Sequence, residues 1–112
     1  MEIYDIEKDK NYISVEIIEY VPNNAVVKTI FRKSSGNVSV VTADNNEGLT
    51  EHTNPFDTFV QVIDGKIELV ISGKLNSILT GQSIVIPAFS PNYVRPAGRF
   101  KMIVTMYKNE FD

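Results

Sequence analysis

Turn-forming residues punctuate this chain at short intervals. They fall at Pro22-Asn23-Asn24, Ser34-Ser35-Gly36-Asn37, Asn45-Asn46-Glu47-Gly48, Asp64-Gly65, Ser72-Gly73, Thr80-Gly81 and Pro96-Ala97-Gly98. Such spacing is the pattern of an all-β sandwich or barrel. The segments between the turns are rich in Val, Ile, Thr, Phe and Tyr, which suit a pleated, half-buried surface. They predict strands at Ile13–Tyr20, Ala25–Arg32, Val38–Ala43, Leu49–Thr53, Thr58–Ile63, Lys66–Ile71, Leu75–Leu79, Ser83–Ile86, Tyr93–Arg95 and Phe100–Tyr107. Asp5–Lys10 is a weak helix candidate of about one turn.

Side chains alternate across a strand, so each segment also predicts two faces. Ile67, Leu69 and Ile71 share one face, with Lys66 and Glu68 on the other. Phe100, Met102, Val104 and Met106 oppose Lys101, Ile103, Thr105 and Tyr107, and that second set is too apolar for a fully wetted face. In Thr58–Ile63, Val60 and Val62 point one way while Phe59 and Ile63 point the other. Strands apolar on both faces in a domain this small call for a second layer, either the N-terminal strands or another subunit, and a homodimer is expected. Asp64-Gly65 between two apolar runs predicts a two-residue hairpin, because a type I′ turn needs positive φ at both central positions. Pro87, Pro91 and Pro96 confine the chain between them to loops and edges.

The 112 residues make one domain. With 43% hydrophobic and 22% charged residues, neither disorder nor a membrane protein is expected. The net charge of −3, with the signs interspersed, offers no footprint for nucleic acid. The absence of cysteine removes disulfides, thiolate metal sites and a cysteine nucleophile. The opening MEIYDIEKDK is too charged for a signal peptide and no apolar run reaches the length of a spanning helix, so a cytoplasmic protein is expected. Phosphate loops, dinucleotide fingerprints and nucleophile elbows are all missing.

Two series of residues stand at informative intervals. The first is His52, Asn54, Thr58 and Gly65, and the second is Gly81, Pro87, Phe89, Asn92 and Pro96. With the flanking wording FVQVIDG, GQSIVIPA and RFKM, the span from about Asn46 to Tyr107 resembles the conserved barrel of small single-domain cupins. In that family the first series reads histidine, histidine, glutamate, glycine, and the second reads glycine, proline, glycine, histidine, asparagine. The resemblance implies a double-sheet jelly roll, also described as a double-stranded β-helix, of roughly six to eight strands. Residues 1–45 would extend its sheets and contribute to dimer contact.

The resemblance also implies a metal held by three histidines and a glutamate. Here three of those four positions carry Asn54, Thr58 and Asn92, and His52, the single histidine of the chain, is the one plausible ligand. Amides and a threonine hydroxyl are poor donors for a transition metal. Glu51 and Asp57 are out of phase with the series, and Glu47 lies in a turn. No cofactor is therefore expected, and a divalent transition metal bound through unusual ligands is the alternative.

His52, Asn54, Thr58 and Asn92 instead form a candidate polar lining inside an apolar barrel, the usual composition of a small-molecule site. Val60, Val62, Leu69, Ile84, Met102 and Met106 are candidate wall residues, and core packing explains most of them equally well. Phe56, Phe89 and Tyr93 are candidates to rim the pocket or plug its mouth. Arg95 is the cation nearest the second series. The expected function is a metal-free, cupin-like binding or structural module for a small polar or carbohydrate-like ligand. The alternative is a cupin-type enzyme, either metal-dependent through unusual ligands or metal-free with His52 as acid–base. A third possibility is a barrel filled by its own side chains.

Overall fold

The computed structural model describes residues 7–44 and 48–108. Eight strands run in the order β1 (Ala25–Lys33), β2 (Gly36–Ala43), β3 (Leu49–His52), β4 (Phe56–Ile71), β5 (Lys74–Leu79), β6 (Ser83–Ile86), β7 (Asn92–Arg95) and β8 (Phe100–Lys108). Every pairing is antiparallel. One sheet has the order β1-β2-β8-β4-β6 and the other β5-β4-β7-β3, so β4 belongs to both. The expected all-β jelly-roll barrel is the fold observed. Among the described residues no helix is long and apolar enough to cross a membrane.

Asp64-Gly65 is not the predicted hairpin. The segments Thr58–Ile63 and Lys66–Ile71 are two halves of the single 16-residue strand β4. The first half pairs with β8 and β6, and the second with β5 and β7. A register shift between Val62 and Asp64, followed by Gly65 at φ 76°, turns the strand from one sheet into the other. This is the corner by which one strand serves two sheets. Gly65 is required twice over, because its φ is left-handed and a Cβ there would lie 2.3 Å from the Arg99 carbonyl oxygen. The hairpin with positive φ at both central residues is Ser72-Gly73, at 48° and 81°, joining β4 to β5.

The predicted strand Ile13–Tyr20 is also corrected. It holds one 3-10 turn at Ser14–Glu16 and pairs with no strand. This segment lies as a strap over the outer face of the first sheet, burying Ile18 together with Val40 beneath. Its carbonyls are taken by lysines from that sheet instead of by a ladder: Lys28 Nζ donates to Ile17 O and Lys101 Nζ to Val15 O. Tyr20 pins its end. Its hydroxyl donates to Asp64 Oδ2 at 2.7 Å, and Arg99 and Lys101 approach its ring to 4.0 and 4.9 Å of the centroid. Part of the second layer anticipated from two-sided apolarity is therefore the chain's own N-terminal segment. Of the Asp5–Lys10 helix candidate, Asp5 and Ile6 lie outside the described residues, and the remainder forms a turn with no helix.

The core follows the predicted alternation. Phe100, Met102 and Val104 of β8 face Val62 and Val60 of β4 and Val41 and Ala43 of β2, all buried. Phe100, Ile67 and Val62 fill the end of the barrel where β4 turns its corner. The opposite end, ringed by Arg32, Asn37, Met106, Thr58, His52 and Asn92, carries the polar residues.

Two outcomes follow. Gly65→Ala should destabilise the fold by about 2–3 kcal/mol, measured by chemical denaturation, because it adds left-handed strain to a backbone clash. Tyr20→Phe should cost about 1 kcal/mol near neutral pH, a charge-assisted bond discounted for partial exposure. Burial and the Asp64 carboxylate raise the Tyr20 phenol above its ordinary value. Its contribution is whole below about pH 10 and falls away as pH rises further, because the unfolded chain ionises first. The gap between wild type and Tyr20→Phe should accordingly narrow in alkaline denaturation curves.

Candidate functional site

The barrel interior contains a cavity of about 350 Å³. That is the small end of the range for ligand sites. Its wall is mainly Val, Leu, Ile and Met from both sheets, with Val41, Val60, Leu69, Val94, Met102 and Val104 among them. Polar groups gather toward the open end.

Of the residues singled out from sequence, His52, Asn54, Thr58, Asn92, Tyr93, Met102 and Met106 all line this cavity, as do Val60 and Leu69. The first four are brought together by pairing. His52 is opposite Asn92 across β3 and β7, and Thr58 is opposite Met106 across β4 and β8. Asn54 lies in the turn before β4, where its Oδ1 accepts the Phe56 N–H at 2.9 Å and its carbonyl accepts the Phe89 N–H at 2.8 Å.

Phe56 is not among the lining residues, a correction with a simple cause. It begins β4 two residues before Thr58 but stands opposite Lys108 at the far tip of β8, past the cavity. Phe89 does not line the cavity either, and it is exposed. It holds φ 63° at the position where the resembled motif has glycine, so a bulky residue adopts a conformation that glycine takes without strain. Arg95, the last residue of β7, is exposed and outside the lining, which takes Asn92, Tyr93 and Val94 from that strand. Val62 and Ile84 pack in or against the core and do not line the void. Asp57 points away and accepts the Ala88 N–H at 2.9 Å. Glu51 is exposed, and Glu47 lies outside the described residues.

The donor set does not fit the metal implied by the resemblance. Asn92 Nδ2 donates to the Ser90 carbonyl at 3.0 Å and to the His52 carbonyl at 3.4 Å. Asn54 Oδ1 is engaged by the backbone, and the Thr58 hydroxyl donates to the Phe56 carbonyl at 3.4 Å. These are neutral groups already used to brace the barrel mouth, with a single imidazole beside them. No group of three or more His, Cys, Asp and Glu side chains is placed to share an ion among the described residues. His52 Nδ1 lies 3.2 Å from the Thr50 carbonyl. A carbonyl only accepts, so in that contact Nδ1 is the donor.

Sequence reasoning missed one wall of the site. Val27, Thr29 and Arg32 of β1 and Asn37 and Ser39 of β2 all line the cavity. The reason lies in β1. Val27 pairs with Val41 and Thr29 with Ser39, all inward, and strict alternation would next place Phe31 inside and Arg32 outside. A one-residue bulge at Ile30 reverses this. Phe31 pairs with the outward Val38, and Arg32 pairs with the cavity-lining Asn37. No residue type in VVKTIFRK marks that bulge, so only the register reveals it.

A small single-domain barrel of two sheets sharing a strand, with a cavity opening at one end, has the cupin fold, and solved structures agree. A conserved protein of unknown function from Streptococcus pyogenes superposes with a TM-score of 0.89 at 23% identity, over 98% of this chain and 96% of that one. A cupin superfamily protein from Desulfitobacterium hafniense gives 0.87 at 15% identity, over 97% of this chain and all of its own. A cupin 2 conserved barrel domain protein from Leptotrichia buccalis gives 0.80 at 29% identity over 84% of this chain, which spans 46% of that longer protein. No family model matches the sequence, and no curated protein is similar to it.

One outcome tests whether the mouth keeps the geometry of a metal site without its ligands. The combined variant Asn54→His, Thr58→Glu and Asn92→His should acquire saturable Zn²⁺ or Ni²⁺ binding in calorimetric titration, while the wild type shows none in the micromolar range.

Proposed function

We propose that this chain is a metal-free small-molecule-binding module whose site is the barrel interior. The observation that carries the reading is the cavity of about 350 Å³, walled by aliphatic side chains and edged at one end by His52, Asn54, Thr58, Asn92 and Tyr93. Apolar walls supply burial and a few convergent polar groups set orientation. The composition favours a ligand with an apolar body and one polar end over a carbohydrate, whose successive hydroxyls would be desolvated against Val60, Leu69 and Val104 without partners. Acid–base chemistry at His52 would lack a carboxylate partner, because none lines the cavity among the described residues.

A homodimer is part of the same proposal. Across the outer face of the first sheet, Phe31, Val38, Thr105, Phe59 and Val85 stand in one directly paired row over five strands. Phe31 is 46% and Val85 55% exposed, with Tyr107 beside them at 55%. A two-fold axis through an exposed, largely uncharged row of this kind brings apolar side chains of two copies together, so the occupant proposed is a second copy.

A panel of amphiphiles of about ten non-hydrogen atoms should raise the melting temperature of the wild type. Ser39→Phe, which fills the void from β2, should abolish the shift while leaving the barrel folded. Equal shifts in both proteins would refute the cavity as the site. In light scattering the wild type should have the mass of two chains, and Val85→Lys should have that of one.

A further inference from the structure

We infer that the cavity recognises a small organic carboxylate with an apolar body, and that Arg32 is its anion anchor, aimed inward by the β-bulge at Ile30. The inference rests on the cavity being a binding site and adds the chemical class of what fills it.

The bulge is the first observation. Bulges are frequent where a side chain must be re-aimed beside a site, and this one has a specific effect. Thr29 and Ser39 pair inward, the register slips by one residue, and Arg32 then pairs with Asn37 on the cavity side. Without the slip, Arg32 would lie on the outer face and Phe31 would occupy the mouth.

The second observation is the charge around Arg32. The described residues provide it with no salt bridge and no side-chain hydrogen bond, whereas Arg99 is paired with Asp44. Among the described residues the lining contains no aspartate or glutamate, while Arg32, Asn37, Asn54, His52 and Asn92 bring cationic or hydrogen-bonding groups to it. A planar guanidinium presents a fork of donors that matches a carboxylate in two parallel hydrogen bonds. Deeper in, the wall is mainly Val41, Val60, Leu69, Met102 and Val104, and the Thr29 and Ser39 hydroxyls beside them face each other at 3.4 Å. Such a cavity takes an apolar chain or ring first and keeps the carboxylate at the mouth. At roughly 30 Å³ for each water-sized group, it accommodates on the order of ten non-hydrogen atoms.

The test uses two molecules of equal size, octanoate and octanamide, titrated calorimetrically into the full chain. Octanoate should bind at least tenfold more tightly than octanamide and weaken as salt is raised. Arg32→Gln should erase that preference by weakening octanoate alone, and Arg32→Lys should recover only part of it. If both molecules bind equally and Arg32→Gln changes neither, the anion anchor is overturned while the cavity stands as a site. If neither binds the wild type, the inference and the cavity reading fail together. A loss of both ligands in Arg32→Gln, with its melting temperature unchanged, would also overturn the inference, because it would make Arg32 a wall residue and not a charge reader.

Discussion

The barrel depends on one strand belonging to two sheets. β4 pairs with β8 and β6 over its first half and with β5 and β7 over its second, so the two layers are joined covalently through a single backbone. That continuity needs a sharp turn within one strand, made here at a register shift between Val62 and Asp64. Asp64-Gly65 supplies it, with φ 76° at Gly65 and a backbone approach to Arg99 that leaves no room for a side chain. Phe100 and Ile67 then pack into the closed end beneath the corner, and the strap residue Tyr20 bonds to Asp64 from outside. The closed end is thus dry and over-determined, and the space that remains lies toward the other end.

Parity is the second constraint. In a two-faced sheet a shift of one residue exchanges inside and outside for everything beyond it. Regular parity through β2, β8 and each half of β4 builds the apolar wall, while the slip at Ile30 changes both faces of β1 at once. It places Arg32 at the cavity mouth and Phe31 in the exposed outer row. One irregularity thereby couples the interior chemistry to the surface that is proposed to meet a second copy.

The mouth shows why likeness of spacing is not likeness of chemistry. His52, Asn54, Thr58 and Asn92 converge where the resembled motifs would hold a metal, yet each is bonded to nearby backbone or to its neighbour's carbonyl. Their hydrogen bonds brace the turn before β4 and the β3–β7 pairing. Fold likeness at 23% identity or below brings no activity with it, because unrelated chemistries share this barrel.

Much of the fold was legible because alternation and turn chemistry are local. The strands from β1 to β8, the inward set Phe100, Met102 and Val104, and the convergence of His52 with Asn92 follow from residue types and intervals visible in the chain. Whatever depends on which strand lies beside which was not legible. Asp-Gly reads as a hairpin from its own propensity, but here the competing pairings with β8 and β5 make it a corner. Ile13–Tyr20 has strand composition, yet it becomes a strap because lysines from the sheet below take its carbonyls. The sequence by itself determined an all-β barrel with a polar cluster in which one imidazole stands among amides and a hydroxyl. Only the tertiary structure decided that β1 walls the cavity and that Arg32 faces it, because a bulge is a property of the pairing between strands and leaves no mark in either strand alone.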